Sequence, residues 1–223
     1  MKKCLLWTGI TLLAVLAVAG LTYHLALRTW CLHWGLTATE ARAQLPGDEL
    51  LPVYAGEATH AITIHAPAEK IWPWLMQIGQ DRSGFYSYTF LENAIGADMP
   101  KVEHLVPDWR PRQVGETVWF ANPNRFSGQG RMIAAQVQPD RTFAMVMADD
   151  WRVIQYGGTG ERGLWSFNLQ PMPDGGTRLI ARARGGTAPT LTGKILGRLF
   201  WEPAHFVMEQ KMLRTIRDLS EHS

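Results

Sequence analysis

Residues 164–184, with the sequence LWSFNLQPMPDGGTRLIARAR, decide the fold class of this chain. The turn-forming run PMPDGG separates two segments of alternating residues, a pattern typical of a β-hairpin. In the first segment, Trp165, Phe167 and Leu169 share one face. In the second segment apolar and basic residues alternate, with Leu179, Ala181 and Ala183 opposite Arg178, Arg182 and Arg184. One buried face and one solvated face predict an antiparallel sheet.

The same period-two pattern occurs upstream of this hairpin. Strands are predicted at residues 60–65, 116–121, 131–137 and 142–148. Ile62 and Ile64 share a face of the first of these strands, and Phe143, Met145 and Met147 share a face of the last. Because alternate side chains of a strand point to the same side, these residues are expected to face the core.

Helical spacing predicts three helices around the strands. They are expected at residues 68–78, 87–95 and 192–221. The last is the longest, and its apolar stripe contains Trp201, His205, Met208 and Met212. The order of elements therefore predicts an α+β fold, in which a curved antiparallel sheet wraps around a long C-terminal helix. Inward-pointing Met, Trp and Phe side chains leave room for a cavity in such a fold.

The N-terminal segment has the composition of a membrane helix. Residues 4–27 carry no charge, and as a helix they extend about 36 Å, enough to span a bilayer. We predict an anchor at residues 1–28, with residues 5–27 in the membrane. Lys2 and Lys3 favour a cytoplasmic N-terminus and a domain on the outer side. The alternative is a signal peptide cleaved near Ala19, after which the protein would be secreted.

Residues 29–53 are interpreted as a connector and residues 54–223 as the folded domain. In the connector, Thr37 and Glu40 have the spacing of a capping box, which predicts a short helix there. The net charge is only +2 and the arginines are scattered, so a nucleic-acid-binding surface is not expected. The two cysteines, Cys4 and Cys31, exclude a disulfide framework. The oligomeric state is left open.

Several segments together resemble a known family. They are WGLTATEARAQLPGDELLP at 34–52, IHAPAEKIWPWLMQIGQDRSGFYSYTFLENAIGADM at 64–99, LWSFNLQPMPDGGTRLIARARG at 164–185 and EPAHFVMEQKML at 202–213. They resemble bacterial SRPBCC proteins of the START, polyketide cyclase–dehydrase and lipid-transport superfamily, in a subgroup with an N-terminal membrane segment. The resemblance implies a helix-grip fold and a cavity for hydrophobic small molecules. Some members of that superfamily catalyse cyclisation, hydration or hydrolysis in the cavity.

Candidate catalytic residues lie on the C-terminal helix. Glu202, His205 and Glu209 are three and four residues apart, and a histidine near carboxylates can act as a general acid or base near neutral pH. The other interpretation is structural, with Glu202 paired to an arginine and His205 hydrogen-bonded in the wall. A metal site is not expected, because carboxylate sites of the Glu-x-x-His type need a second such motif. No cofactor is expected either.

Candidate ligand-binding residues are the large side chains on the predicted inner face and on the loop after the first helix. They are Tyr86, Tyr88, Trp119, Phe143, Met145, Trp165, Phe167, Trp201, Met208 and Met212. In the same loop, Asp81 and Arg82 are expected to hold the chain by ion pairs and caps. The sequence favours a membrane-tethered module that binds an apolar or amphipathic small molecule. An enzyme of cyclase, dehydratase or hydrolase type, using His205 with Glu202 or Glu209, is the alternative.

Overall fold

The computed structural model describes residues 2–186 and 190–222, and within it one sheet organises the domain. Its six strands are antiparallel, in the order β1-β6-β5-β4-β3-β2. Their bounds are β1 Gly56–Ile64, β2 Thr117–Trp119, β3 Arg131–Gln138, β4 Thr142–Met147, β5 Gly163–Pro171 and β6 Thr177–Gly185. All the predicted strands are present, and the first begins four residues earlier than expected. The hairpin pairs Trp165 with Ala183 and Phe167 with Ala181, so the alternation set its register.

Helices precede, interrupt and follow the sheet. Their bounds are α1 Lys2–Thr22, α2 Arg28–Leu32, α3 Ala68–Met76, α4 Thr89–Ala94, α5 Ala148–Ile154, α6 Leu191–Leu196 and α7 Glu202–Glu221. Two five-residue π-helical turns continue the helical path, Tyr23–Leu27 between α1 and α2 and Gly197–Trp201 between α6 and α7. The predicted C-terminal helix is therefore a continuous helical segment with an irregular middle. The sequence did not predict α5.

The long helix α7 lies on the inner face of the sheet. Its buried residues Met212, Leu213 and Ile216 belong to the same core cluster as Phe143 and Phe167 of the strands. All of these side chains are at most 2 % exposed, and removing them from water is the largest favourable contribution to folding. A curved antiparallel sheet around a long C-terminal helix is a helix-grip fold, as the sequence predicted.

The outer face of the sheet is covered, whereas the sequence predicted that it would be exposed to solvent. The arginine face of β6 is not solvated, because residues 40–51 of the connector cover it. Arg182 is only 2 % exposed and binds Asp48 and the carbonyl of Ala43. Arg178 binds Glu40, about 2.7 Å from it. The arginines do share one face of β6, but an alternating pattern does not distinguish a face exposed to water from a face covered by another segment of the same chain.

The connector folds back on the sheet for a physical reason. Its acidic residues meet the arginines, and its apolar residues Leu45 and Leu51 are buried against the strands. The capping box is present, since the amide of Thr37 donates to Glu40 and the amide of Glu40 to the Thr37 hydroxyl. The helix it begins is only a 3-10 turn, Glu40–Arg42. The predicted division into anchor, connector and domain stays a prediction, and its terminal residues 1 and 223 lie outside the described residues.

The N-terminal helical path runs from α1 through α2. Residues Trp7–Leu32 are long and apolar enough to cross a membrane, and a signal sequence would have the same features. Large apolar side chains along α1 are exposed, among them Trp7, Leu16 and Leu21. The end of the path is attached to the domain, because Trp30 packs edge-on against Phe206 of α7 at 5.2 Å between ring centroids.

Candidate functional site

An apolar cavity lies between the first turns of α7, the sheet and the loop after α3. We call it the inner cavity; its volume is about 360 Å³. Its lining is Phe85, Ser87, Glu92, Ile95, Ala97, Met99, Phe120, Trp165, Trp201, Ala204, His205, Met208, Glu209 and Met212. Most of these side chains are apolar, and the ionisable ones are Glu92, His205 and Glu209. A mainly apolar space with a few converging polar groups is typical of a small-molecule site.

The loop GQDRSGFYS builds one wall of this cavity. Its ends meet in a pair of backbone hydrogen bonds between Gly79 and Gly84, both 2.9 Å long. Gly79 has φ +122°, and a Cβ there would lie 2.7 Å from the Asp81 carboxylate, so a larger residue does not fit. The Ser87 hydroxyl donates to the carbonyl of Met208 at 2.8 Å, which fixes the loop to α7. As predicted, Asp81 holds the loop through an ion pair, here with Arg112 at 2.9 Å.

Glu209 is the centre of a polar cluster at the back of the cavity. Its side chain is 1 % exposed, and its Oε2 atom contacts Nδ1 of His60 on β1. Its Oε1 atom accepts a hydrogen bond from Nε1 of Trp165 at 2.5 Å. The Nε2 atom of His205 is 3.4 Å from Oε2. Two histidines and an indole therefore surround one buried carboxylate.

His60 is oriented by a second contact. Its Nε2 atom lies 2.7 Å from the carbonyl oxygen of Cys31, at the end of the N-terminal helical path. A carbonyl oxygen only accepts hydrogen bonds, so Nε2 carries a proton and Nδ1 is left to face Glu209. His60 is fully buried, whereas the side chain of His205 is 33 % exposed and faces the cavity.

Burial and charge act in opposite directions on this cluster. Burial alone favours the neutral carboxyl, but the facing imidazoles of His205 and His60 outweigh it, so the pKa of Glu209 is well below its usual range. Burial alone lowers the pKa of His205, but the charge of Glu209 outweighs it and raises that pKa. The cluster therefore keeps a carboxylate ionised inside an apolar wall.

Glu92 on α4 behaves differently, although it lines the same cavity. Burial raises its pKa to about 7, and its Oε2 atom has no hydrogen-bond partner among the described residues. Burial removes water that would stabilise the ionised carboxylate, so the neutral form of Glu92 is favoured. The cavity thus contains one carboxylate and one carboxyl that is largely neutral below pH 7.

A second depression adjoins the inner cavity on the side of the N-terminal helix. We call it the outer groove; its volume is about 530 Å³. It is lined by Leu32, by residues 55–58 at the start of β1, by residues 183–186 at the end of β6, and by residues of the C-terminal helical segment. Trp201 and His205 line both spaces. These two side chains therefore form the partition between the groove and the inner cavity.

The structure divides the predicted ligand-binding residues into two groups. Trp165, Trp201, Met208 and Met212 line the inner cavity. Phe143, Met145 and Phe167 are fully buried in the packed core, and Tyr86 is buried with its hydroxyl donating to the Trp74 carbonyl at 3.2 Å. Tyr88 packs against Phe90, and Trp119 lies under the guanidinium of Arg131, 5.5 Å from its carbon atom. These six do not line the inner cavity.

Among the candidate catalytic residues, Glu202 is separate from the cluster. It binds Arg28 through two hydrogen bonds of 2.7 and 2.9 Å, which is the structural interpretation considered for it from the sequence. His205 and Glu209 remain together. The sequence shows two potential metal ligands of this cluster on one helix, and the fold brings a third, His60 of β1, to the same place.

Several lining residues were not among the ligand-binding residues predicted from the sequence. Phe85, Glu92 and Phe120 line the cavity, and Phe120 directly follows the predicted Trp119 at the end of β2. Adjacent strand residues point to opposite faces, so an error of one position reverses the assignment. A signal for His60 was available, because it alternates with Ile62 and Ile64 and therefore shares their inner face.

Comparisons with known proteins find only distant similarity. No family model matches the chain, and no curated protein matches it. Among solved structures, protein MLL2253 from Mesorhizobium loti is similar at 17 % identity and a TM-score of 0.38, over 75 % of this chain and 98 % of that one. The Aha1 dimer from Colwellia psychrerythraea is 18 % identical with a TM-score of 0.35, over 70 % of this chain and 94 % of that one.

A third similar structure is the polyketide-cyclase-like protein Cgl2372 from Corynebacterium glutamicum. It is 14 % identical with a TM-score of 0.35, over 74 % of this chain and 90 % of that one. At such identities and TM-scores the likeness carries no argument about function. The helix-grip description rests on the sheet order and on the position of α7 in this chain.

Proposed function

We propose that this protein is a membrane-tethered module that binds a hydrophobic or amphipathic small molecule, such as a lipid or a polyketide-like compound, in the inner cavity. The observation that carries the proposal is the cavity itself. About 360 Å³ of space is lined mainly by Met, Trp, Phe, Ile and Ala side chains. When an apolar ligand replaces water in such a space, apolar surface is removed from water and the free energy of the system falls.

The polar groups of the cavity favour an amphipathic ligand over a pure hydrocarbon. His205 and Glu92 both line the cavity and keep polar atoms without a hydrogen bond of normal geometry in the described part of the chain. A hydroxyl, amide or carboxyl group of a ligand would satisfy them, and unsatisfied buried polar atoms are costly. The tail of the ligand would then pack against Met208, Met212 and Ile95.

Exposed apolar residues beside the cavity support the membrane part of the proposal. Leu191, Ile195, Leu199, Phe200 and Trp201 are each at least half exposed on the helical segment before α7. Leu199 lies against Gly20 of α1, 3.7 Å from the position of a Cβ at that glycine. Large apolar patches on a surface mark interaction sites. We infer that this patch contacts the same membrane as the N-terminal helix.

The exposed apolar patch, the outer groove and the inner cavity adjoin one another, which connects membrane attachment with ligand binding. The patch ends at Trp201, and Trp201 separates the outer groove from the inner cavity. A ligand that leaves the bilayer at the patch would reach the groove and then the cavity without crossing bulk water. The proposed topology keeps the N-terminus in the cytoplasm and the domain on the outer side.

An enzyme remains the second candidate, and one observation favours it. His205 faces the cavity with its Nε2 atom 3.4 Å from a buried carboxylate, an arrangement in which an imidazole can act as general acid or base. Glu202 has no part in it, because it is engaged by Arg28. The cyclase, dehydratase or hydrolase alternative therefore reduces to His205 and Glu209.

The binding proposal is tested by native mass spectrometry of the full-length protein released from detergent. The wild type is compared with Ala204→Trp, which fills the inner cavity, and with Val207→Trp as the matched control. Val207 is on the same helix, is 45 % exposed and does not line the cavity. We expect a lipid-sized mass on the wild type and on Val207→Trp, and its loss from Ala204→Trp. Equal occupancy of the two tryptophan variants, or no bound mass on any of the proteins, would contradict the proposal.

A further inference from the structure

We propose that His60, His205 and Glu209 form a binding site for a divalent transition-metal ion such as Zn²⁺, open to the inner cavity. The Nδ1 or Nε2 atoms of the two histidines and a carboxylate oxygen of Glu209 all lie within 4.8 Å of one another. Two imidazoles and one carboxylate are a ligand set that suits zinc and related ions, with further coordination positions left for water or substrate.

The spacing of the ligand atoms is close to what zinc requires. An ion about 2.1 Å from each ligand atom in a tetrahedron places two of those atoms roughly 3.4 Å apart. Nε2 of His205 and Oε2 of Glu209 are already 3.4 Å apart. Nδ1 of His60 is closer to Oε2, in the range of a direct hydrogen bond. When the ion binds, it therefore replaces the proton that lies between His60 Nδ1 and Glu209 Oε2, and the distance between these two atoms increases.

The surrounding hydrogen bonds are those that orient metal ligands. The Nε2–H of His60 donates to the Cys31 carbonyl at 2.7 Å, which leaves Nδ1 directed at the site. The Nε1–H of Trp165 donates to Oε1 of Glu209, which leaves Oε2 directed at the site. Ligating histidines commonly donate their second N–H to a carbonyl or carboxylate, and ligating carboxylates are themselves hydrogen-bonded.

His205 supplies the opening of the site. Its Nε2 atom is buried and makes no hydrogen bond of normal geometry within residues 2–186 and 190–222. Its side chain lines both the inner cavity and the outer groove, while His60 and Glu209 are at most 1 % exposed. An ion held here would be closed off on the side of the sheet and accessible from the cavity. A carbonyl, carboxylate or hydroxyl oxygen of a ligand could complete its coordination.

The test uses full-length protein in detergent, stripped of metal with a chelator and titrated with Zn²⁺ against a competing zinc indicator. We expect one equivalent of zinc per chain. His205→Ala should weaken binding by more than about 100-fold, since the loss of a ligand exceeds the 10- to 100-fold cost of losing its hydrogen-bonded partner. Trp165→Phe removes such a partner and should weaken binding about 10-fold. His222→Ala is the control, because His222 is exposed at the C-terminal end of α7.

Titration with Co²⁺ gives a second readout that does not depend on activity. Bound Co²⁺ should show the visible absorption of a low-coordinate nitrogen and oxygen site in the wild type and in His222→Ala, and lose it in His205→Ala. His205 is partly exposed, so this variant is expected to fold, and its far-ultraviolet circular dichroism checks that. Absence of zinc binding by the wild type, or equal affinity in wild type and His205→Ala, would overturn the proposal. Neither result depends on whether the cavity binds a lipid, which Ala204→Trp tests separately.

Discussion

Arg28 and Glu202 form a two-pronged ion pair that joins the end of the N-terminal helical path to the first residue of α7. The bonds from Nε and Nη2 of Arg28 are 2.7 and 2.9 Å long, and both side chains are roughly three-quarters buried. The residues are 174 positions apart in the sequence. This pair fixes the predicted anchor relative to the helix that carries the polar cluster.

Breaking this pair should lower stability measurably. Arg28→Gln is expected to reduce the free energy of unfolding by about 1–2 kcal/mol, because hydrogen bonds between charged groups contribute more than neutral ones. Thermal unfolding of the full-length protein in detergent measures the change. The control is Arg217→Gln, which removes an exposed pair with Asp218 and should cost no more than about 0.5 kcal/mol. Equal losses in the two variants would show that the Arg28 pair has no special role.

Alkaline carbonate extraction tests the predicted anchor. The apolar helical path Trp7–Leu32 should keep the protein in the membrane pellet, because its exposed side chains need a hydrocarbon environment. A peripheral protein would move to the supernatant. Release of a shorter protein that begins near Gly20 would instead support a cleaved signal peptide.

The two histidines of the polar cluster should differ in their effect on stability. His60→Ala removes the imidazole that contacts Oε2 of Glu209 and the Cys31 carbonyl, both of them buried, so we expect a loss of about 3 kcal/mol. His205→Ala is expected to cost less than about 1 kcal/mol, because water and the cavity can accommodate the change. Urea unfolding of metal-free protein compares them. A larger loss for His205→Ala than for His60→Ala would contradict the assignment of roles.

Glu92 should make stability depend on pH. Its pKa is raised by burial to about 7, above the ordinary value of 4.5. A carboxyl with a raised pKa in the folded state contributes stability that is full below pH 4.5 and is lost as the pH rises towards 7. Melting temperatures of wild type and Glu92→Gln across this window should converge at low pH and separate at high pH, with the variant more stable. Glu103→Gln serves as the control, because Glu103 is an exposed carboxylate on the surface. If the melting temperatures of the wild type and of Glu92→Gln change in parallel with pH, Glu92 does not have this role.

The buried pair of Arg182 and Asp48 should behave as a coupled unit. Removing one partner leaves a charge almost completely buried, since the side chains are 2 % and 3 % exposed. Arg182→Met and Asp48→Leu are each expected to cost about 2–4 kcal/mol, and the double variant less than the sum. A double-mutant cycle by urea unfolding measures the coupling. Strict additivity would indicate that the connector does not depend on this pair to cover the sheet.

The sequence alone determined the strands, the helix after the first strand, the long C-terminal helix and their order, although it did not predict α5. Alternation in β4, β5 and β6 identified the strands and the inner face, because side chains of a strand must alternate whatever the rest of the chain does. The apolar stripe of α7 and the uncharged N-terminal run were equally visible. Such local periodicities follow from backbone geometry, so one sequence is sufficient to read them.

The tertiary structure decided which inward-facing residues are packed and which line a cavity. Phe143 and Met145 have the same periodicity as Trp165, yet only Trp165 lies where α7 and the loop after α3 leave space. It also decided that the arginines of β6 are covered and that His60 meets Glu209, which is 149 positions away in the sequence. Contacts between distant segments depend on how whole elements pack in three dimensions, and periodicity within one segment carries no information about its partner.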